Sequence, residues 1–112
     1  MTVKIGFVGV GSMGQCAHLK NYVTNPECEV VAIAELRPKV AKAVAARYGV
    51  PRVYASHSEM LAKEKLDAIV ASQPFTRHGV LLPELLKARV PVFIEKPLAS
   101  SIQAGRKILQ AM

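Results

Sequence analysis

The feature that most constrains this chain of 112 residues is a glycine pattern that directly follows a short apolar segment. Residues 3–8 are mostly apolar and β-branched, which is typical of a buried strand, and the pattern Gly-x-Gly-x-x-Gly occupies residues 9–14. Residues 12–22 have the character of a helix, which we expect to end near Asn25-Pro26 because proline disfavours helical geometry in the residue before it. A glycine turn between a strand and a helix is typical of the start of a βαβ unit.

In that context each residue of the turn has a predicted part in binding a dinucleotide. Gly9 permits the tight turn, Gly11 lets the backbone approach a pyrophosphate, and Gly14 lets the helix pack close to the strand. Ser12 and Met13 supply backbone N–H groups at the positive end of the helix dipole. The alternative is a glycine turn with no ligand, which the position between strand and helix disfavours.

The rest of the chain alternates between segments of strand and helix character. Further strands are predicted at residues 29–34, 52–54, 67–71 and 90–95. Further helices are predicted at residues 38–48, from a cap at Ser56 or Ser58 to residue 63, at residues 76–87, and after a capping box at residues 100–103. This alternation predicts an α/β fold: a doubly wound parallel Rossmann sheet of about five strands.

The end of the chain bears on its domain organisation. Ile102, Leu109 and Met112 share an apolar face of the last helix, and no later residues can pack against it. A doubly wound sheet of about six strands would need one more strand. We therefore expect residues 1–112 to form one dinucleotide-binding domain that is truncated before its last strand and before a C-terminal domain.

An acidic residue after the second strand tests the prediction of a dinucleotide site. Glu35 stands there, where a carboxylate accepts hydrogen bonds from the 2′- and 3′-hydroxyls of an adenosine ribose and repels a 2′-phosphate. Arg37 leaves the choice open, because a guanidinium can pair with a 2′-phosphate, stack on adenine or simply face solvent. The sequence favours NAD, with NADP as the alternative.

Composition narrows the class of protein. The net charge of +7 is spread along the chain without interleaved aromatic residues, so we predict no nucleic-acid partner. No apolar run is long enough to span a bilayer, and the N-terminus has no signal-peptide pattern, so we expect a cytoplasmic protein without a membrane partner. Cys16 and Cys28 lack metal-ligand spacing, so no metal is expected. His18 and His57 are interpreted as structural or exposed, with no carboxylate partner.

Two loops in the second half carry a resemblance to a known family. Gln73-Pro74 and His78 follow the fourth predicted strand, and Glu95-Lys96-Pro97 follows the fifth. Both loops would leave the carboxyl edge of the sheet, where ligands of doubly wound folds bind. Together they make the chain resemble the N-terminal domain of the glucose–fructose oxidoreductase and inositol dehydrogenase family (Gfo/Idh/MocA).

The resemblance implies a function and a role for each of these residues. It implies an NAD(P)-dependent oxidoreductase that moves a hydride between nicotinamide and a hydroxyl- or carbonyl-bearing carbon, usually of a sugar or cyclitol. Lys96 would be the catalytic residue that bonds the substrate hydroxyl, and an ammonium beside a positive nicotinamide would have a lowered pKa that suits acid–base work. Glu95 would position Lys96, and Pro97 would fix the turn.

The residues of the preceding loop would contact the cofactor. The resemblance places Gln73 and Pro74 along the dinucleotide and His78 near it, although a capping or packing role for His78 is the simpler interpretation.

The same resemblance implies a missing substrate domain. Without it we expect this chain alone to be inactive, and homo-oligomers only when that domain is present. Two other classes remain as alternatives: a non-catalytic module that senses NAD(H) or holds a partner, and another nucleotide-using Rossmann enzyme such as a methyltransferase or flavoprotein. Lys96 would be unexplained in either.

Overall fold

The structure is a computed structural model that describes residues 2–10, 18–72, 78–94, 99 and 101–112, with the backbone alone at residues 78–80. These residues contain a five-stranded parallel sheet with strand order β3-β2-β1-β4-β5. Its strands are β1 (Val3–Val8), β2 (Cys28–Ala34), β3 (Arg52–Tyr54), β4 (Ala68–Ala71) and β5 (Val92–Ile94). The chain reverses its direction of winding at β1, so the predicted doubly wound α/β fold is confirmed.

Helices connect the strands along the described chain. They are α1 (Lys20–Thr24), α2 (Pro38–Tyr48), α3 (His57–Lys63), α4 (His78–Leu86) and α5 (Ile102–Ala111). The bounds of α2 and β3 are those predicted, because proline in the first turn and Gly49 at the end mark α2 in the sequence. The predicted start of the first helix lies outside the described residues.

The parallel register brings the carboxyl ends of the central strands to one edge. Val8 lies opposite both Ala34 of β2 and Ala71 of β4. Since parallel strands point the same way, the residues that follow them leave together. Gly9, Glu35 and Ser72 are therefore neighbours at this edge, although no two of them are close in sequence.

Two cores cover the two faces of the sheet. On one face, Phe7 and Ile33 pack in a cluster with Val44 of α2 and with Leu19, which precedes α1. On the other face, residues of the strands pack against α3, α4 and α5. These helices contribute the buried side chains of Met60, Leu85 and Ile108, respectively. Each fully buried side chain of this kind contributes about 1.5–3 kcal/mol relative to an exposed one, so burial on both faces stabilises the sheet.

Polar side chains secure the ends of the helices on the second face. The Ser56 hydroxyl accepts a hydrogen bond from the Glu59 backbone N–H at 3.2 Å, and so decides between the two predicted caps of α3. Glu64, directly after α3, pairs with the Arg52 guanidinium, whose Nη2 lies 2.9 Å from Oε1, and also accepts from the Tyr54 hydroxyl. This network ties the end of α3 to β3.

The predicted capping box of α5 is wrong by one residue. Ser101 is the N-cap, and its hydroxyl accepts from the Ala104 N–H at 3.1 Å, so Ala104 occupies the position that a capping box gives to glutamine. Adjacent serines carry the same capping chemistry, and the sequence does not distinguish them. On α5, Ile108 is buried, whereas Ile102, Leu109 and Met112 are exposed.

Two glycines offer a matched test of the helix ends. Gly49 has φ 71°, so Gly49→Ala should lower the free energy of unfolding by about 1–2 kcal/mol, because a Cβ disfavours left-handed geometry. Gly105 lies inside α5, and a Cβ there would meet only Ala99 at an ordinary 3.9 Å, so Gly105→Ala should raise stability by about 0.5–1 kcal/mol. Urea unfolding of both variants measures this, and an unchanged or raised stability for Gly49→Ala would contradict the described helix end.

Candidate functional site

The turn after β1 begins as the sequence predicts. Gly9 has φ 85°, a left-handed conformation that residues with a Cβ rarely adopt. Its N–H donates to the Ala34 carbonyl at 2.8 Å, which fixes the turn against the end of β2. The other predicted residues of the turn, Gly11, Ser12, Met13 and Gly14, lie outside the described residues.

A buried carboxylate stands beside this turn. Glu35 follows β2 directly, and its side chain is only 6% exposed. Its Oε1 accepts a hydrogen bond from the Val10 N–H at 3.1 Å, and its Oε2 accepts from the Arg37 backbone N–H at 3.0 Å. The carboxylate therefore joins the loop after β1 to the loop after β2.

The Arg37 side chain completes the environment of this carboxylate. Its Nε donates to Glu35 Oε2 at 3.1 Å and its Nη2 to Oε1 at 3.2 Å, a two-pronged ion pair. The Arg37 side chain is 61% exposed, so the guanidinium approaches from the solvent side. Of the three interpretations of Arg37 that the sequence leaves open, none includes this pairing with Glu35.

The surroundings determine the charge of Glu35. Burial raises the pKa of its carboxyl, because a charged group is disfavoured away from water. The hydrogen bonds from the Arg37 guanidinium, the Val10 N–H and the Arg37 N–H, together with the positive charge of Arg37, outweigh that effect and hold the pKa below its usual value. Glu35 is therefore an anion at neutral pH, able to accept hydrogen bonds from a diol.

A cavity of about 80 Å³ opens beside Glu35. Its walls include Leu36 and, from the loop after β3, Ala55, Ser56 and His57. The sequence predicted none of these four as site residues; the three after β3 could not be placed here because only the sheet order puts the end of β3 next to the end of β2. The short predicted strand at residues 52–54 was the available signal, since its following loop reaches this edge.

One histidine has a partner that the sequence did not indicate. His57 Nε2 pairs with the carboxylate of Glu84 in α4, so the expectation that no carboxylate meets this histidine is wrong. The two residues are 27 positions apart, and the packing of α3 near α4 brings them together. His18 meets Phe93 edge-on, with ring centroids 5.1 Å apart.

A larger cavity of about 680 Å³ runs between α3 and α4. Leu66 and Val90, which precede β4 and β5, contribute to its walls, so it extends toward the amino edge of the sheet. His57 contributes to both cavities. The smaller cavity is the one that adjoins the glycine turn and the buried carboxylate.

Comparison with known proteins decides which family has this arrangement. The family described as "Oxidoreductase family, NAD-binding Rossmann fold" (Gfo/Idh/MocA) matches residues 3–112. The chain belongs to the Gfo/Idh/MocA oxidoreductase family. It is thus an NAD-binding Rossmann domain of an oxidoreductase family, as the two loop motifs predicted.

Relatives in the Gfo/Idh/MocA family are considerably longer. An inositol 2-dehydrogenase of Rubrobacter xylanophilus is 36% identical over 110 residues, which are 97% of this chain and 31% of that protein. A scyllo-inositol dehydrogenase from Lactobacillus casei was solved with bound NAD(H) and scyllo-inositol. It superposes on this chain with a TM-score of 0.89 at 28% identity. The match covers 99% of this chain and 33% of the dehydrogenase chain.

A second solved relative holds a different ligand beside its cofactor. The WlbA dehydrogenase from Bordetella pertussis, in complex with NADH and UDP-GlcNAcA, has a TM-score of 0.89 at 28% identity over 99% of this chain and 34% of its own. The chain thus spans about a third of the length of the relatives it matches.

The remaining predicted residues belong to the two loops that suggested the Gfo/Idh/MocA family. Gln73, Pro74, Glu95, Lys96 and Pro97 lie outside the described residues. The strand ends before both loops are described, however. Ile94 lies opposite Ala71, and the Ser72 N–H donates to the Val8 carbonyl at 2.8 Å.

After β4 and β5 the chain leaves the sheet at the same edge as Gly9 and Glu35. His78 is the first residue of α4, and its backbone alone is described.

No group of three or more histidine, cysteine, aspartate or glutamate side chains in the described part of the chain is arranged to hold a metal ion. No described helix is long and apolar enough to cross a membrane.

The lowered pKa of Glu35 makes a prediction about stability. The folded chain binds the Glu35 proton less tightly than the unfolded chain does, so the stabilisation is complete above the unfolded pKa of about 4.3 and is lost as pH falls through the lower folded pKa. The difference in melting temperature between the wild type and Glu35→Gln should therefore be largest above about pH 5 and should shrink toward about pH 3.

Thermal melts across this pH range measure the difference, with Glu29→Gln of β2 as a control for the loss of one exposed negative charge. A difference that grows as pH falls would show that Glu35 is not stabilised as an anion.

Proposed function

We propose that this chain binds NAD across the carboxyl edge of its sheet, as the cofactor domain of an oxidoreductase that acts on a hydroxyl- or carbonyl-bearing carbon of a sugar or cyclitol. The observation that carries the proposal is the buried Glu35 carboxylate, held between the Val10 and Arg37 N–H groups beside the left-handed turn at Gly9. The enzyme as a whole would need a substrate-binding region in addition to these residues.

The Glu35 carboxylate fits an adenosine ribose. An anionic carboxylate accepts hydrogen bonds from two vicinal hydroxyls and repels a 2′-phosphate, which favours NAD over NADP. Two backbone N–H groups fix the positions of its oxygens before a ligand binds. The adjoining cavity, with Leu36 and Ala55 in its walls, offers an apolar surface near the ribose site.

The glycine turn fits the pyrophosphate. Gly9 already has the conformation that such a turn needs. By the motif, Gly11 and Gly14 would leave room for the pyrophosphate and for the helix, and the N–H groups of Ser12 and Met13 would donate to phosphate oxygens.

On the other side of β1, the loops after β4 and β5 would meet the nicotinamide half of the cofactor and the substrate. A bound nicotinamide dinucleotide supplies a hydride acceptor or donor. Lys96 would hold the substrate hydroxyl and take up or release its proton, with Glu95 and Pro97 fixing the position of the lysine.

Gln73 and Pro74 would line the dinucleotide, and His78 would lie near it. The solved relatives hold scyllo-inositol and UDP-GlcNAcA, which supports a polyhydroxylated substrate. Because these relatives are dehydrogenases, they favour the enzyme over a non-catalytic sensing module.

The partner would be a small sugar-like molecule rather than nucleic acid or membrane, and assembly into homo-oligomers would depend on a C-terminal domain. A cytoplasmic location fits the thiol of Cys28, which is free and half-buried and donates to the Tyr22 carbonyl at 3.1 Å, as expected in a reducing compartment.

Titration of the chain with NADH and NADPH, followed by nicotinamide fluorescence, tests the cofactor assignment. We expect NADH to bind more tightly than NADPH, and Gly11→Val to abolish binding of both, because its side chain would fill the space of the pyrophosphate. Gly49→Ala is the control for a change at a glycine away from the site, since Gly49 follows α2 and precedes β3, at the amino edge of the sheet. Unchanged affinity in Gly11→Val would remove the glycine turn from the binding site.

Lys96→Ala tests the catalytic assignment in a protein that joins this domain to a substrate-binding region. Turnover of an inositol should fall by roughly two to four orders of magnitude, as expected for loss of a general acid–base group, while the dissociation constant for NADH stays near that of the wild type. Lys65→Ala is the matched control, since Lys65 lies between α3 and β4, away from the carboxyl edge. Near-normal turnover in Lys96→Ala would exclude Lys96 from the chemistry.

A further inference from the structure

The larger cavity, between α3 and α4, is separate from the smaller one beside Glu35, although His57 borders both. Its volume of about 680 Å³ falls within the range of roughly 300–1,000 Å³ that small-molecule sites occupy. Its walls extend from His57, the first residue of α3, to Val90, which precedes β5. The cavity therefore runs toward the amino edge of the sheet, whereas a dinucleotide on the glycine turn would lie at the carboxyl edge.

Four apolar side chains in the walls of this cavity are held by the core. Each is half-buried and packs against the buried cluster on the second face of the sheet; they are Leu61, Leu66, Ala88 and Val90. Because the core fixes these side chains, the apolar walls exist before any ligand binds. A ligand with an apolar body would cover them and remove them from water, which is favourable.

The two carboxylates at the cavity already have partners. The Glu64 side chain is only 7% exposed, and it is held by the Arg52 guanidinium and the Tyr54 hydroxyl. The hydrogen bonds from Arg52 are the main reason that the pKa of the Glu64 carboxyl is below its usual value. The Glu84 carboxylate pairs with His57, which likewise lowers its pKa. This second pair also joins α3 to α4, and so holds the two helical walls together.

Two lysines at the cavity have no such pairing. Lys65 follows α3 and Lys87 follows α4, so each belongs to a different helical wall. The ion pairs among the described residues include neither lysine, although the charge of Lys87 helps to lower the pKa of Glu84. With both carboxylates already paired, the two ammonium groups give this end of the cavity an excess of positive charge, which attracts an anion.

We propose that this cavity is a second ligand site, which takes a small organic anion with an apolar body, such as an aryl-substituted carboxylate. The apolar body would cover the four apolar side chains of the walls, and the anionic group would bind Lys65 and Lys87. A cationic ligand would be repelled by the two lysines, and a sugar would leave the apolar walls without a partner. The site uses none of the residues proposed to bind the dinucleotide or to carry the chemistry, so it does not depend on the proposed function.

Titration of the nitrogen-labelled chain with phenylbutyrate, followed by the backbone amide signals in NMR spectra, tests the proposal. We expect the signals of residues 57–66 and 84–90 to shift and to saturate, with a dissociation constant of roughly 1–10 mM for a ligand of this size. Phenylbutanol, which has the same apolar body without the charge, should bind roughly two- to twenty-fold more weakly, the range for loss of two exposed ion pairs.

Two variants separate the head of the ligand from its body. The double variant Lys65→Gln and Lys87→Gln should bind phenylbutyrate as weakly as phenylbutanol, and its affinity for phenylbutanol should not change. Ala62 is exposed on α3 and lines the cavity, so Ala62→Phe should fill part of the space and weaken both ligands without disturbing the core.

The matched controls lie on α2, which packs on the other face of the sheet. Lys39→Gln with Lys42→Gln removes two exposed positive charges, and Ala46→Phe adds the same bulk to an exposed helix position. Both should bind phenylbutyrate as the wild type does. The amide spectrum of each variant shows whether it folds.

Three results would overturn the inference. The first is the absence of saturable shifts, or shifts confined to the exposed apolar residues of α5, since the cavity would then hold only water. The second is equal affinity for phenylbutanol and phenylbutyrate, which would remove the anionic group from recognition. The third is displacement of phenylbutyrate by NADH, which would place the two ligands in one site. Failure of the chain to bind NADH would overturn the proposed function and leave this inference standing.

Discussion

The hydrogen bond from the Val10 N–H to the Glu35 carboxylate is the interaction on which the site depends. It joins the turn after β1 to the loop after β2, and it does so at a position that is almost closed to solvent. A buried anion without donors would cost several kcal/mol, so this carboxylate is stable only because Val10 and Arg37 surround it. The same donors that make Glu35 stable also fix where its oxygens point.

The parallel sheet supplies the frame in which that interaction forms. Val8, Ala34 and Ala71 end their strands side by side, and the residues that follow each strand leave at one edge. In an α/β fold of this kind, the sequence of the loops can vary without disturbing the core, since the core side chains lie on the two faces of the sheet and the loops at its edge. Glu35 and Arg37 are two positions apart in the loop that leaves β2, and the guanidinium lies on the carboxylate there.

Much of this arrangement was predictable from local patterns. The α2 helix has proline in its first turn and glycine after its end, and these residues act over a few positions, so its bounds follow from the sequence. The turn at Gly9 was likewise predictable from the glycine pattern. The serine cap of α5 was predicted one residue early, because Ser100 and Ser101 offer the same side chain to the same helix end. The pairing of His57 with Glu84 has no local signal, since only the packing of α3 near α4 brings the two together.

By itself, then, the sequence determined the alternation of strands and helices, the glycine turn, the acidic residue after the second strand and the family to which the chain belongs. Each of these depends on residues that are neighbours along the chain. The tertiary structure decided what Glu35 touches: the Val10 N–H from another loop and the Arg37 guanidinium in place of solvent. The Val10 contact could not be predicted from spacing, because the two loops that it joins meet only once β1 and β2 lie side by side, whereas Arg37 is near Glu35 along the chain itself.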